Sequence, residues 1–343
     1  MKASSILIIY TGGTIGMKLD PMDQALKPFD FSQIVEEVPE LRKFAVRIDS
    51  YTFDPLIDSS DVEPSLWVRL ANLIQDRYDD YDGFVILHGT DTMAYSASAL
   101  SFMLVGLSKP VIFTGSQLPI GRPRTDGREN LISAVEIAAA VDEEGHARVP
   151  EVAIYFDSRL LRGNRAIKYS AEAFNAFVSP DCPPLAEAGI NIRYNTDVIR
   201  KPASWIAPLQ ILTKLDTRVA ILKVHPGMTP QVMRSFLFTE EIRAVILETY
   251  GSGNAISKPW FLDILREAGK TKVLVNVTQC KSGSVNMDIY ATGKTLKLAG
   301  VVSGYDITTE AALGKLFVLL GRSDDNEWVK ARFNEDLFGE ISK

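Results

Sequence analysis

Two short segments constrain the fold of this chain more than any other feature: Tyr10-Thr11-Gly12-Gly13-Thr14-Ile15-Gly16 and His88-Gly89-Thr90-Asp91-Thr92-Met93. Each follows an apolar run, Ile6 to Ile9 before the first and Phe84 to Leu87 before the second. Such runs, with no polar face for water, read as strands buried on both sides, as in a parallel sheet. Thr14 and Thr90 therefore fall just past the carboxyl ends of strands. In open α/β sheets that edge is where ligands bind. The chemistry on offer there is that of hydroxyl groups and needs no cofactor.

The rest of the chain alternates in the same way, which argues for an α/β fold. Leu66, Leu70, Leu73 and Ile74 recur at helical spacing over 64–78, with Pro64 in the first turn, where a missing N–H costs nothing. Helices are also expected over 92–105, 126–141, 230–238, 259–268 and 308–320. Strands are expected at 111–113, 152–156, 219–224, 244–249 and 273–277. Between 178 and 213 the rhythm stops, because Pro180, Pro183, Pro184, Pro202 and Pro208 break any long helix. The expected organisation is a larger, mostly parallel-sheet N-terminal α/β domain over 1–190, a linker over 191–215 and a smaller C-terminal α/β domain over 216–343.

A length of 343 residues suits two domains, and 46% apolar residues are enough for full-sized cores. Acidic residues outnumber basic ones, 43 to 37, with no basic stripe, which argues against nucleic acid as a partner. The two cysteines, Cys182 and Cys280, have neither metal-ligand nor disulfide-framework spacing, so free thiols in a reducing compartment are expected. The first apolar run is too short for a signal peptide, and no stretch approaches a membrane span. A cytoplasmic protein is the expectation.

Several clusters bear on chemistry. Thr11 to Thr14 has neither G-x-G-x-x-G nor a Walker pattern, and the next stretch, Met17 to Phe29, lacks the helix a phosphate loop needs. A tight turn with incidental threonines and a threonine nucleophile flanked by oxyanion-binding amides both remain open. His88, at the end of an apolar strand, reads as a hydrogen-bonded core residue rather than a triad base; His146 and His225 are the only other histidines. Asp91 reads as the N-cap of the following helix, a role compatible with catalysis. Lys168 is either a solvated loop lysine or a proton shuttle beside a carboxylate. Asp58-Ser59-Ser60-Asp61 is a turn cluster or a cradle for a carboxylate. Gly115-Ser116-Gln117 follows another strand and walls the same pocket. Asp126 to Asn130 reads as a helix start and nothing more.

Together these residues resemble the bacterial-type asparaginase/glutaminase family, nearest its cytoplasmic type I branch. The marks are Thr11 to Gly16, the block Asp82 to Met93, Arg162-Gly163-Asn164-Arg165 and Tyr250-Gly251-Ser252-Gly253-Asn254. The resemblance covers about residues 4 to 320. It implies hydrolysis of L-asparagine to L-aspartate and ammonia, without metal or cofactor, with L-glutamine the poorer substrate. It also implies a homodimer or dimer of dimers, with no membrane partner. Carried over by motif, Thr14 attacks the side-chain amide, while Thr90, Asp91 and Lys168 form the second catalytic group. Asp91 also pairs with the substrate ammonium. Ser59 and Ser60 hold its carboxylate, the Ser116 backbone meets the amide oxygen, and Asp58, Gly89 and Asn254 complete the substrate-binding set.

Two alternatives use the same scaffold. One is the amidase partner of a tRNA-dependent transamidation system, a role that usually needs an added N-terminal domain. The other is an amino-acid or nucleotide sensor, which would keep the cradle and lose the nucleophile.

The chain departs from the family pattern twice. A flap tyrosine usually follows the nucleophile by about a dozen residues; here Gln24-Ala25-Leu26-Lys27-Pro28 puts Leu26 in its place. Tyr305 is the expected substitute phenol, and a Tyr305→Phe variant with wild-type kcat would exclude it. Some type I enzymes are activated by asparagine at a second site. Cys280 matches that site, but Ile167 and Glu248 stand where a hydroxyl and an arginine are expected. Glutamate repels an effector carboxylate, so the rate curve should be hyperbolic in asparagine. A Hill coefficient clearly above one would refute this.

Overall fold

The computed structural model describes residues 4–19, 26–28, 38–289 and 291–342. The chain divides into two compact units, Met1–Ile211 and Leu212–Lys343.

In the first unit the apolar runs become strands. They are β1 (Ser4–Tyr10), β2 (Val46–Thr52), β3 (Gly83–Leu87), β4 (Val111–Thr114) and β5 (Val152–Phe156), all five parallel to one another. An antiparallel extension follows, made of β6 (Arg159–Arg162), β7 (Ala186–Ala188) and β8 (Ile192–Tyr194). The order across the sheet is β8-β7-β6-β5-β4-β3-β1-β2. Three helices connect the parallel strands: α1 (Pro64–Asp76), α2 (Met93–Met103) and α3 (Gly127–Ala139). On one face Leu131, Ala134, Val135 and Ala138 of α3 share a core with Ile6, Ile8, Val85, Leu87 and Ile112. Every residue of helix α2 except Tyr95 is buried, which is why small Ala and Ser residues make up much of it.

This topology sets the position of the site. From β1 the chain crosses to β2 on one side, and from β3 it crosses to β4 on the other. The strand order therefore reverses between β1 and β3, and the crevice for a ligand opens outside their carboxyl ends. The register pairs Tyr10 with Leu87. Both glycine-threonine loops thus leave the sheet at the same height.

The second unit holds a smaller parallel sheet of β9 (Val219–Lys223), β10 (Ala244–Thr249), β11 (Val273–Thr278) and β12 (Val302–Ser303), in that order. Its helices include α4 (Pro230–Leu237), α5 (Pro259–Ala268) and α6 (Thr309–Arg322). Val245, Leu247 and Leu274 pack with Met233, Phe261, Ile264 and Leu265 in its core.

Two sequence expectations need correction, and one strand had no counterpart among them. Residues 191–215 are not wholly a linker: Ile192–Tyr194 is the outermost strand of the large sheet, and Gln210–Ile211 pairs with Leu104–Val105. The helix expected over 92–105 ends at Met103, because Leu104–Val105 takes up that pairing. Strand β2 carries no apolar run, since Arg47, Ser50, Tyr51 and Thr52 are exposed on a sheet edge. Of the 17–29 stretch, Met17–Leu19 and Leu26–Pro28 pair as antiparallel strands, while 20–25 and 29 lie outside the described residues. Among the described residues no helix is long and apolar enough to cross a membrane.

Candidate active site

The end of β1 is tied to the end of β3 by Thr11, whose backbone N–H and Oγ1 both donate to the Leu87 carbonyl, at 3.0 and 2.9 Å. Two glycines follow with positive φ, Gly12 at 137° and Gly13 at 92°. Their missing side chains make room for two other loops. A Cβ on Gly12 would lie 2.1 Å from the Ile57 carbonyl oxygen, and one on Gly13 would lie 2.5 Å from the Gly89 nitrogen. A Cβ on Gly89 would in turn lie 2.4 Å from Ser59 Cβ. The segments after β1, β2 and β3 therefore meet backbone to backbone. Thr14 and Thr90 each stand one residue beyond the Gly13–Gly89 contact.

Lys168 comes from a short strand, Ile167–Lys168, paired with Phe177–Val178. Its Nζ donates to Thr90 Oγ1 at 2.9 Å and to Asp91 Oδ1 at 2.6 Å. The lysine side chain is 19% exposed and the aspartate 63%, so the pair adds at most about 1 kcal/mol of stability. Its value is positional. An ammonium donating into the Thr90 oxygen stabilises negative charge developing there and leaves the hydroxyl proton free to point elsewhere.

Ser59 is buried, and its Oγ accepts the Asp91 backbone N–H at 3.0 Å, so its own proton remains available to a ligand. Ser60 is exposed and donates its hydroxyl to Asp58 Oδ1 at 2.8 Å. The Ser60 backbone and hydroxyl donors together hold the Asp58 carboxyl below its ordinary value. Ser116 is buried with no hydrogen-bond partner for its hydroxyl. Thr14, Thr90, Asp91, Ser59, Ser60, Asp58, Gly89, Ser116 and Lys168 all belong to the first unit. Asn254 and Tyr305 belong to the second unit. There Asn254 Oδ1 accepts Thr292 Oγ1 at 2.5 Å, and Tyr305 adopts a left-handed backbone with φ 54°.

The floor of the site is neutral. His88 is buried, with Nδ1 2.7 Å from the Gly89 carbonyl and Nε2 3.0 Å from Ser96 Oγ. A carbonyl only accepts, so Nδ1 carries the proton and Nε2 accepts from Ser96. Ser96 Oγ accepts in turn from Trp67 Nε1 at 2.8 Å. Both ring nitrogens are committed, which leaves no nitrogen free for a triad. Asp91, expected as a helix cap, does not cap α2; the N-cap is Thr92, whose hydroxyl donates to the Ser59 carbonyl at 2.7 Å.

Among the described residues, one group offers metal-ligating atoms in proximity: Asp142, Glu144 and His146, within 4.8 Å of one another. Asp142 Oδ1 there accepts the backbone N–H groups of Glu144 and His146, as in an ordinary turn, and the His146 ring stacks on Trp205.

Family models match both parts of the chain: Asparaginase, N-terminal, over residues 5–200, and Glutaminase/Asparaginase C-terminal domain, over 218–333. The chain belongs to the asparaginase family. It is 44% identical to L-asparaginase 1 of Escherichia coli (strain K12), covering 100% of this chain and 99% of that protein. It is 39% identical to the 60 kDa lysophospholipase of Mus musculus, covering 98% of this chain and 62% of that protein. The crystal structure of L-asparaginase I from Vibrio cholerae superposes with a TM-score of 0.88 at 41% identity, covering 99% and 100% of the two chains. Asparaginase membership agrees with the family resemblance read from the motifs.

Sequence reading missed Asp126, whose carboxylate holds the loop after β4 by accepting the Gln117 and Leu118 backbone N–H groups. The available signal was Asp126 and Asn130, four residues apart and so on one helix face.

Burial lowers the His88 pKa from 6.5 to about 4. Between those values the unfolded chain binds a proton that the folded chain refuses. Stability should therefore fall as pH drops through that window, by up to about 3 kcal/mol from this group. Urea midpoints at neutral pH and near pH 5 measure it. A His88→Asn variant should show a shallower loss, and an unchanged loss would refute the assignment.

Proposed function

We propose that this asparaginase-family protein hydrolyses L-asparagine to L-aspartate and ammonia, with Thr14 as the nucleophile. The observation that carries the reading is Lys168 Nζ bridging Thr90 Oγ1 at 2.9 Å and Asp91 Oδ1 at 2.6 Å, at the strand ends where the sheet order reverses. The full-length likeness to a protein named L-asparaginase 1 supports the choice of substrate.

In this mechanism Thr14 Oγ bonds to the side-chain amide carbon, and the C–N bond breaks. The hydroxyl proton leaves with the nitrogen as ammonia. Water then attacks the Thr14 ester, its proton passing to Thr90 Oγ1 as the Thr90 hydroxyl proton passes to the departing Thr14 oxygen, while the Lys168 ammonium stabilises the charge on Thr90. The ester C–O bond breaks and Thr14 recovers a proton. Backbone N–H groups of the glycine loops stabilise the oxyanion in both steps. Ser59 donates to the substrate carboxylate with the proton its own bonds leave free, Ser60 lies beside it, and the Asp91 carboxylate pairs with the substrate ammonium. The Ser116 backbone faces the amide, with Asp58, Gly89 and Asn254 completing the binding set. Tyr305 is the proposed substitute for the flap tyrosine. We further infer a cytoplasmic homodimer or dimer of dimers with no requirement for metal or cofactor.

Glu248 supports the expected lack of activation by asparagine. Its Oε1 accepts Thr309 Oγ1 at 2.8 Å, and the nearby Glu310 carboxyl is raised above its ordinary value by burial.

Ammonia release by wild type, Thr14→Ala and Lys168→Met, with L-asparagine and L-glutamine in parallel, tests the proposal. Thr14→Ala should abolish turnover, and Lys168→Met should lower kcat by roughly 10²–10⁴-fold. Glutamine, longer by one methylene, should be poorer by about 10–200-fold in kcat/KM. Full activity in Thr14→Ala would overturn the nucleophile, and a wild type that releases no ammonia from asparagine would overturn the reaction.

A further inference from the structure

Helix α3 begins at a residue that does not cap it. Asp126 makes no capping bond to its own helix. Its carboxylate instead reaches the loop that leaves β4. Oδ2 accepts the Gln117 N–H at 2.9 Å, and Oδ1 accepts the Gln117 and Leu118 N–H groups at 3.1 Å each. One turn along the helix, the buried Asn130 donates Nδ2–H to the Gly115 carbonyl at 3.0 Å. Thr125 Oγ1 donates to the Leu118 carbonyl at 2.9 Å. The loop is thus gripped on both sides of Ser116 by a single helix start.

The same structure reaches the lysine. Asn130 Oδ1 accepts the Asp157 N–H at 3.2 Å, at the turn into β6. Gln117 Nε2 donates to the carbonyls of Ala171 and Ala173, at 3.3 and 3.1 Å, just past Lys168. The wall containing Ser116 and the segment containing Lys168 are therefore bolted together through residues that were not among the expected catalytic or substrate-binding groups.

Resting on the hydrolysis proposed above, we infer that Asp126 is a positioning residue for that reaction, acting through the backbone of the Gly115–Leu118 wall. An ionised carboxylate suits this task. It offers two acceptor atoms to neighbouring N–H donors, its bonds are charge-assisted, and the helix N-terminus favours its negative charge. Asparagine is nearly the same size but puts an N–H₂ group where one of those acceptors stood, facing a backbone donor. The wall then shifts. A displacement of about 1 Å at a reacting centre lowers the rate by about 10²-fold.

The test compares wild type, Asp126→Asn and Gln117→Ala on L-asparagine, with rates expressed per folded molecule from circular dichroism, well below each melting temperature. Asp126→Asn should lower kcat by about 30–100-fold with KM within about threefold of wild type. Gln117→Ala leaves the Asp126 bonds in place and removes only the tie to 171–173; it should lower kcat about 5–20-fold, again with KM nearly unchanged. A merely structural Asp126 would lower the melting temperature and the folded fraction while leaving kcat per folded molecule intact. If wild type turns over and both variants match it, the positioning role is overturned and the hydrolysis stands. If wild type releases no ammonia, the hydrolysis assignment itself fails and takes this role with it.

Discussion

Everything at this site depends on the contact between Gly13 and Gly89, where two strand-end loops touch through backbone alone. Any side chain on Gly13 would sit within 2.5–2.6 Å of Gly89 backbone atoms. The contact is possible because β1 and β3 are adjacent, parallel and in a register that ends them level at Tyr10 and Leu87. It matters because the next residue on each loop is a threonine. A sheet that reverses its strand order supplies a crevice; glycines with positive φ bring the two loops together within it. Gly12 extends the same logic to the loop after β2, which delivers Ser59.

Polar groups around this contact fall into two classes. Those beneath it are neutral and fully paired: Trp67, Ser96, His88 and the Gly89 carbonyl form one chain of donors and acceptors. An unpaired polar group at that depth would cost about 1–3 kcal/mol, so the floor is held in one arrangement. The groups facing the crevice keep capacity in reserve. Ser59 has a proton to give, Thr90 is polarised by Lys168, and Ser116 has a hydroxyl without a partner. The division between a saturated floor and an unsaturated wall is what distinguishes a binding surface from a packed core.

Much of this was legible in the sequence, for identifiable reasons. Strands β1, β3, β4 and β5 are buried on both faces, so they are written as uninterrupted apolar runs, and the threonine loops are marked by their glycines. Lys168 as a partner of Thr90 was not legible locally, because the two are 78 residues apart and meet only through tertiary structure. Its environment identified it as more than a solvated loop lysine. Asp126 read as a helix start because capping is the common use of aspartate at that position; nothing in the local sequence says that the carboxylate faces another loop. Strand β2 was missed because an edge strand needs no apolar run, and β7 and β8 because two or three paired residues leave no periodicity to detect.

The two edges of the large sheet carry a further consequence. At one end β2 presents the exposed Arg47 toward solvent, paired with Asp49 at 3.1 Å and lying over the Tyr81 ring. At the other, β8 is three residues long with Arg193 exposed at its centre. Charge and shortness are the means by which proteins keep open sheet edges from recruiting strands of other molecules. Between those guarded edges lies β1, the kind of apolar segment that nucleates aggregation when unpaired. It is synthesised before either of its neighbours. The vulnerable moment for this chain is therefore during its synthesis, when the strand that will carry the Thr11–Thr14 loop has no partner and the charged edge that later shields it has yet to be made.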